Sequence, residues 1–92
     1  MFVINDESHA EWMGEHDTFE SALAQIQDWT ALVWSQAPNV APCQSWRTCG
    51  RSYEIQQWDN TVKPWTLIES TPIVEIDARG VRWEPEFAPD SS

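Results

Sequence analysis

A single amphipathic segment constrains the fold of this chain more than any other feature of its sequence. Between positions 19 and 33, apolar residues recur at spacings of three and four, which predicts a helix with one buried stripe. The members of this stripe are Phe19, Ala22, Leu23, Ile26, Trp29 or Thr30, and Val33. Asp17 can cap the amino end, with Glu20 three residues later, so the helix is expected to begin near Thr18. Pro38 makes continuation of the helix unfavourable.

The other patterned segments favour strands, because short runs of β-branched and aromatic residues alternate with turn residues. Two such segments precede the helix, and three or four follow Arg51. Among the later ones, Trp65 and Leu67 are expected to point inward. The resulting order, β-β-α-β-β-β, predicts an α+β fold in which one helix packs on a mainly antiparallel sheet.

The clearest turn is Asp77-Ala78-Arg79-Gly80, whose terminal glycine suits a residue with positive φ. This turn predicts a hairpin between the two segments that surround it. One face of the hairpin is expected to lie against the helix and to consist of Val74, Ile76, Val81 and Trp83. The other face is expected to carry Glu75, Asp77 and Arg82.

The length of 92 residues is close to the usual size of one domain. Residues 1–84 are predicted to form a single domain, and residues 85–92, which contain two prolines and two terminal serines, a flexible tail. The sequence has no apolar run near the ~20 residues that cross a bilayer, and its start has no basic region leading into such a run. We therefore expect a cytoplasmic protein without membrane contact.

Negative charge is unevenly distributed along the chain. Fifteen Asp and Glu against five Lys and Arg give a formal net charge of −10, and no Lys or Arg occurs before Arg47. Direct binding to nucleic acid or to an anionic membrane is disfavoured, since both depend on cationic side chains. The expected partner is a basic protein surface, including that of a nucleic-acid-binding enzyme. The alternative is that the charge only keeps a small protein soluble.

Tryptophan is the second unusual feature. The chain contains seven, at positions 12, 29, 34, 46, 58, 65 and 83. Each can bury ~150–250 Å², so a domain of this size is expected to leave some of them at its surface, where aromatic rings anchor protein interfaces. The predicted partner-binding residues combine an acidic patch with two aromatic anchors. They are Glu11, Glu15, Asp17, Glu20 and Asp28, with Trp34 and Trp46.

A different hypothesis concerns the connection between the helix and Arg51. Cys43 and Cys49, which have five residues between them, are compatible with a disulfide across a small loop, with two free thiols, or with a metal site completed by His9 and His16. Their spacing is unlike the C-x-x-C of redox enzymes and zinc sites. In a reducing cytosol a disulfide is not expected to persist.

Catalysis has weaker support in the sequence. Arg47 and Arg51 flank Cys49 and would favour its thiolate, but the pattern places no base beside it. The three glycines form no phosphate-binding loop, and no cofactor is predicted.

The leading hypothesis is therefore a non-catalytic inhibitor or adaptor that binds a basic partner, of the type of phage anti-defence or immunity proteins. If the partner binds nucleic acid, the carboxylates would act as a nucleic-acid mimic. The alternatives are a small metal- or redox-dependent module that uses Cys43 and Cys49, and a small enzyme that uses Cys49 or carboxylates.

Overall fold

The computed structural model describes residues 1–32, 36, 37, 39, 50–77 and 79–88. The predicted α+β class and the order β-β-α-β-β-β are confirmed. The strands are β1 (Phe2–Asp6), β2 (Glu11–His16), β3 (Arg51–Asp59), β4 (Thr66–Asp77) and β5 (Gly80–Trp83), and the helix is α1 (Phe19–Thr30). No helix within the described ranges is long and apolar enough to span a membrane.

The five strands form one antiparallel sheet in the order β2-β1-β3-β4-β5. This order places β3, which begins 21 residues after α1 ends, in the centre of the sheet. β1 separates β3 from β2, so residues that are far apart in sequence become neighbours on the same sheet face. The pairing of Ile4 with both Gly14 and Ile55 illustrates this relationship.

The apolar stripe of α1 packs on one face of the sheet, as predicted. Ala22 and Ile26 are fully buried with Ile4 and Ile55, and the partly buried Phe19, Leu23 and Trp29 pack against this core. Two ring contacts tie the helix to the strands. They are Phe2 with Phe19, at a centroid distance of 6.2 Å, and Trp29 with Tyr53, at 5.3 Å.

Both ends of α1 differ from the prediction. The N-cap is Thr18 and not Asp17, because the Thr18 hydroxyl accepts the backbone N–H of Ser21 at 3.1 Å. The helix ends at Thr30, while Val33 lies outside the described residues. The side-chain amide of Asn39 donates to the carbonyl of Trp29 at 2.8 Å, as a second donor beside the backbone N–H of Leu32 at 3.0 Å, and so ties residue 39 to the helix end.

The predicted hairpin between β4 and β5 is confirmed, and Gly80 has a φ of +126°, which residues with a side chain rarely adopt. Its faces were predicted only in part. Val74 is buried and Trp83 half-buried, but Val81 is exposed, because it lies near the sheet edge. Asp77 shares a face with Glu75 and Arg82 as expected, but it is buried, because Arg79 and Arg82 cover its carboxylate.

Two further expectations are corrected or refined. Leu67 was expected to point inward, but it is exposed, because it pairs with Trp58 on the face away from the helix. Within the predicted tail, Phe87 packs on Phe19 with their centroids 5.8 Å apart. Residues 89–92 lie outside the described residues, and the flexibility of the tail stays a prediction.

Candidate functional site

The face of the sheet opposite α1 carries three tryptophans in contact. Strand pairing aligns Trp12 with Asn5, and Asn5 with Glu54, so these side chains alternate away from the helix-facing Ile4 and Ile55. Trp58 lies four residues after Glu54 in β3 and therefore points to the same side. We call this side the open face.

The indoles meet although their residues come from different segments of the chain. The ring centroid of Trp12 lies 5.6 Å from that of Trp58, with the ring planes tilted, and 6.1 Å from that of Trp65, with the planes 24° apart. Leu67 pairs with Trp58 and extends the apolar surface. We call these four residues, Trp12, Trp58, Trp65 and Leu67, the tryptophan face.

Much of the tryptophan face is accessible to solvent. Trp12 is 48% exposed and Leu67 44%, while Trp58 and Trp65 are half-buried. Contact with two neighbouring indoles restricts the Trp12 side chain before any partner arrives. An exposed ring that is already ordered loses little entropy on binding, which makes Trp12 suited to anchor an interface.

A chain of side-chain hydrogen bonds holds the neighbouring part of the open face. The indole N–H of Trp58 donates to Gln56 at 3.1 Å, and the amides of Gln56 and Asn5 each donate to Oε1 of Glu54 at 2.9 Å. Glu54 is only 7% exposed. These bonds fix both the tryptophan ring and a carboxylate beneath the accessible surface, so the tryptophan face is organised in the absence of a partner.

The predicted acidic residues are gathered only in part. Glu15 and Asp17 are exposed and line, with His16 and Ser21, a surface cavity of about 390 Å³ at the end of β2. Glu20 lies close by in the first turn of α1. Glu15 projects from the open face, because it pairs with Val3. This group therefore borders both the helix start and the open face.

Two of the predicted acidic residues lie elsewhere. Asp28 is eight residues beyond Glu20 in α1, which corresponds to about 12 Å along the helix. Glu11 begins β2, and its partly exposed carboxylate accepts a hydrogen bond from Arg51, with Oε2 2.6 Å from Nη1. A single acidic patch that contains all five residues is therefore not formed. The aromatic anchors Trp34 and Trp46 lie outside the described residues.

Arginines and carboxylates pair at the sheet end that holds the β1–β2 turn. Asp6, which is fully buried, accepts from Arg51 at 3.0 Å and lies 2.6 Å from His9. Burial lowers the pKa of Arg51, but its hydrogen bonds to Glu11 and Asp6 more than offset this and leave the pKa raised.

A second ion-pair group lies on the β4–β5 hairpin beside the first. Asp77 accepts from Arg82 at 2.8 Å and from Arg79 at 2.9 Å, and these bonds hold the pKa of Asp77 well below its usual range. Arg82 also contacts Glu75 at 3.2 Å. Members of both groups, among them Arg51 and Asp77, line a cavity of about 220 Å³. Since their guanidinium groups already contact carboxylates, we interpret this region as structural.

The two histidines of the hypothetical metal site, His9 and His16, do not lie together. His9 precedes β2 and His16 ends it, so the length of a strand separates them, and a single ion cannot contact both. His16 Nδ1 lies 2.8 Å from the hydroxyl of Ser21. Among the residues that the structure describes, no three His, Cys, Asp or Glu side chains form a group that could hold a metal. Cys43 and Cys49 lie outside the described residues.

Comparison of the whole chain with protein-family models, with curated proteins and with solved structures found no match.

Proposed function

We propose that this protein is a non-catalytic binding domain that acts as an inhibitor or adaptor on a basic partner protein, and that the tryptophan face makes the central contact. The observation that carries this proposal is the exposed Trp12 ring, which stacks on Trp65 and contacts Trp58 in a tilted arrangement. Large ordered aromatic rings are the residues that most often dominate the energy of protein interfaces.

Charge supports a basic partner. The net charge of −10 attracts cationic surfaces over a distance of about one Debye length, roughly 8–10 Å at physiological salt. Glu15 lies on the same side of the sheet as Trp12, and Asp17 lies beside it. Electrostatic attraction would then accelerate encounter, and the indoles would supply the short-range contact.

A partner that binds nucleic acid fits the same arrangement. In that case the exposed carboxylates of Glu15, Asp17 and Glu20 would occupy positions on the partner that phosphates otherwise take. A DNA or RNA oligonucleotide that the partner binds should then compete with this protein for it.

The experiment begins with affinity capture from the native host, followed by identification of the partner and measurement of its affinity. Trp12→Ala is expected to weaken binding of that partner about tenfold or more, as for a central interface aromatic. Val81→Ala is the matched control, because Val81 is a similarly exposed apolar residue on the side of the sheet opposite the tryptophan face. It should leave the affinity unchanged within about twofold.

Charge is tested with a second matched pair of variants. Glu15→Lys and Glu86→Lys change the net charge equally, and both residues are exposed. Only Glu15→Lys is expected to slow association strongly, and the association rate of the wild type should fall as salt rises. Three outcomes would contradict the proposed function. The partner could be acidic, it could bind Trp12→Ala as tightly as the wild type, or its association rate could be independent of salt.

A further inference from the structure

Over half of its length, one edge of β4 has no partner among the strands that the structure describes. β5 pairs only with the segment from Val74 to Asp77. The preceding part, which we call the edge segment, runs from Thr66 to Thr71 and pairs with β3 on one side. On its other side, none of the strands that the structure describes is hydrogen-bonded to it.

The edge segment is accessible and apolar in its first half. All of its residues except Thr71 are exposed, and Leu67 and Ile68 are 44% and 58% exposed. An unpaired strand edge presents a row of backbone N–H and C=O groups that can accept another extended chain. Pro72 follows the edge segment and limits its extent, because proline has no N–H to donate.

The two sides of the edge segment differ in chemistry. Leu67 pairs with Trp58 and lies on the open face, where the indole of Trp58 contacts that of Trp12. Glu69 pairs with Gln57 and Thr66 with Asp59, which places two carboxylates on the opposite side of the sheet. A chain added here would have apolar residues beside the tryptophan face and basic residues beside Glu69 and Asp59.

We propose that the edge segment accepts an extended segment of the basic partner as a sixth strand, with apolar and basic side chains in alternation. This inference rests on the proposed function, and it assigns the mode of binding. A second copy of the chain fits less well, because symmetric antiparallel pairing about the edge segment would bring two Glu69 carboxylates close together between molecules that each carry a charge of −10.

The test uses a peptide probe and residue-resolved amide hydrogen exchange of the full chain. The probe is a capped peptide of alternating arginine and valine, about eight residues long, which is enough to span the edge segment. The control peptide has the same residues arranged as one arginine block and one valine block, so its charge and composition are identical. Strand addition should slow exchange of the outward-pointing amides between Thr66 and Thr71 about tenfold or more, with the alternating peptide only.

Two variants of equal charge test the predicted side-chain match. Glu69→Lys should weaken binding of the alternating peptide about fivefold to tenfold, because it replaces an opposite-charge cross-strand neighbour by a like charge. Glu86→Lys, which changes an exposed residue outside the edge segment, should stay within about twofold of the wild type. Glu69→Gln provides a milder variant in case the lysine variant folds poorly.

The outcomes separate this inference from the proposed function. Binding of the alternating peptide without protection of the edge segment, equal protection by the block peptide, or no binding near about 1 mM would each overturn strand addition. The proposed function would still stand if the captured basic partner is lost with Trp12→Ala. Conversely, a captured partner insensitive to Trp12→Ala would contradict the proposed function whatever the peptide does.

Discussion

The hydroxyl of Tyr53 donates a 2.9 Å hydrogen bond to Oδ1 of Asn39, and both side chains are buried. Through this bond, the central strand of the sheet holds the residue that caps the end of α1. Burial raises the pKa of Tyr53 above its usual range, and the carboxylates of Asp6 and Glu11 add to this against the opposing effect of Arg51.

The stability of the protein should therefore decrease in alkali. The unfolded chain ionises Tyr53 near pH 10, whereas the folded chain keeps the hydroxyl neutral to higher pH. The contribution is thus complete below about pH 10 and is lost as the pH rises above it. Since Tyr53 is the only tyrosine, its phenolate absorbance can be followed directly, and it should titrate late in the folded state.

Tyr53→Phe is the matched variant for this measurement. It removes the bond to Asn39 and should lower the free energy of unfolding by about 1–2 kcal/mol at neutral pH, measured by urea denaturation. Above about pH 10 its stability should fall less steeply than that of the wild type. If the free energies of unfolding of the two proteins fall in parallel above about pH 10, ionisation of Tyr53 does not contribute to the loss of stability.

Protonation of Asp77 should destabilise the protein in acid. Hydrogen bonds from Arg82 and Arg79 lower its pKa in the folded state, so its contribution is present above about pH 4 and is lost as the pH falls below that value. Asp77→Asn should cost about 1–2 kcal/mol at pH 7 and should show a weaker decrease in stability on acidification. The control is Glu75→Gln, an exposed member of the same group, for which we expect less than about 0.5 kcal/mol.

The ion pair between Arg51 and Asp6 should be more important for stability than the contact between Arg51 and Glu11. Arg51→Met would leave the fully buried Asp6 carboxylate without its guanidinium partner, at a cost of about 3–5 kcal/mol. Glu11→Gln removes only an exposed partner and should cost about 0–1 kcal/mol. Thermal or urea denaturation distinguishes the two, and equal losses would contradict this ranking.

Gly50 should not tolerate a side chain. A Cβ at this position would lie 2.5 Å from Cβ of Asp77 and would overlap the carbonyl oxygen of Ile76. Since backbone atoms cannot rotate away, Gly50→Ala should destabilise the protein by about 1–3 kcal/mol. The control is Gly14→Ala, where the nearest atom is the Nε2 of His16 at 3.8 Å, and which should be neutral or slightly stabilising.

The parts of the fold that depend on local patterns could be predicted from the sequence. The spacing of Ala22 and Ile26 depends only on helix periodicity, and the turn at Gly80 depends on the conformational freedom of one residue. The end of α1 at Thr30 could not be predicted, because the stripe continues to Val33. The cap by Asn39, nine residues beyond Thr30, depends on tertiary contact.

The candidate site was largely missed, because it depends on strand order. Surface tryptophans were expected, but not that Trp12 and Trp65 would meet. Their contact depends on the strand order, in which β1 lies between β2 and β3, and β4, which Trp65 directly precedes, pairs with the other side of β3. Likewise, Asp6 and Arg51 are 45 residues apart in sequence. Glu11 was assigned to an exposed patch because no local signal pairs it with Arg51. Non-local pairing of this kind leaves no periodic pattern in a single sequence.

The contact among Trp12, Trp58 and Trp65 also gives the protein a built-in optical signal. The indole centroids are 5.6 Å and 6.1 Å apart, so we expect their electronic transitions to couple and to give a paired positive and negative band in far-ultraviolet circular dichroism. Any molecule that tilts or separates these rings would change the couplet. Occupancy of this surface could thus be followed in solution without a dye, an isotope or a fusion partner.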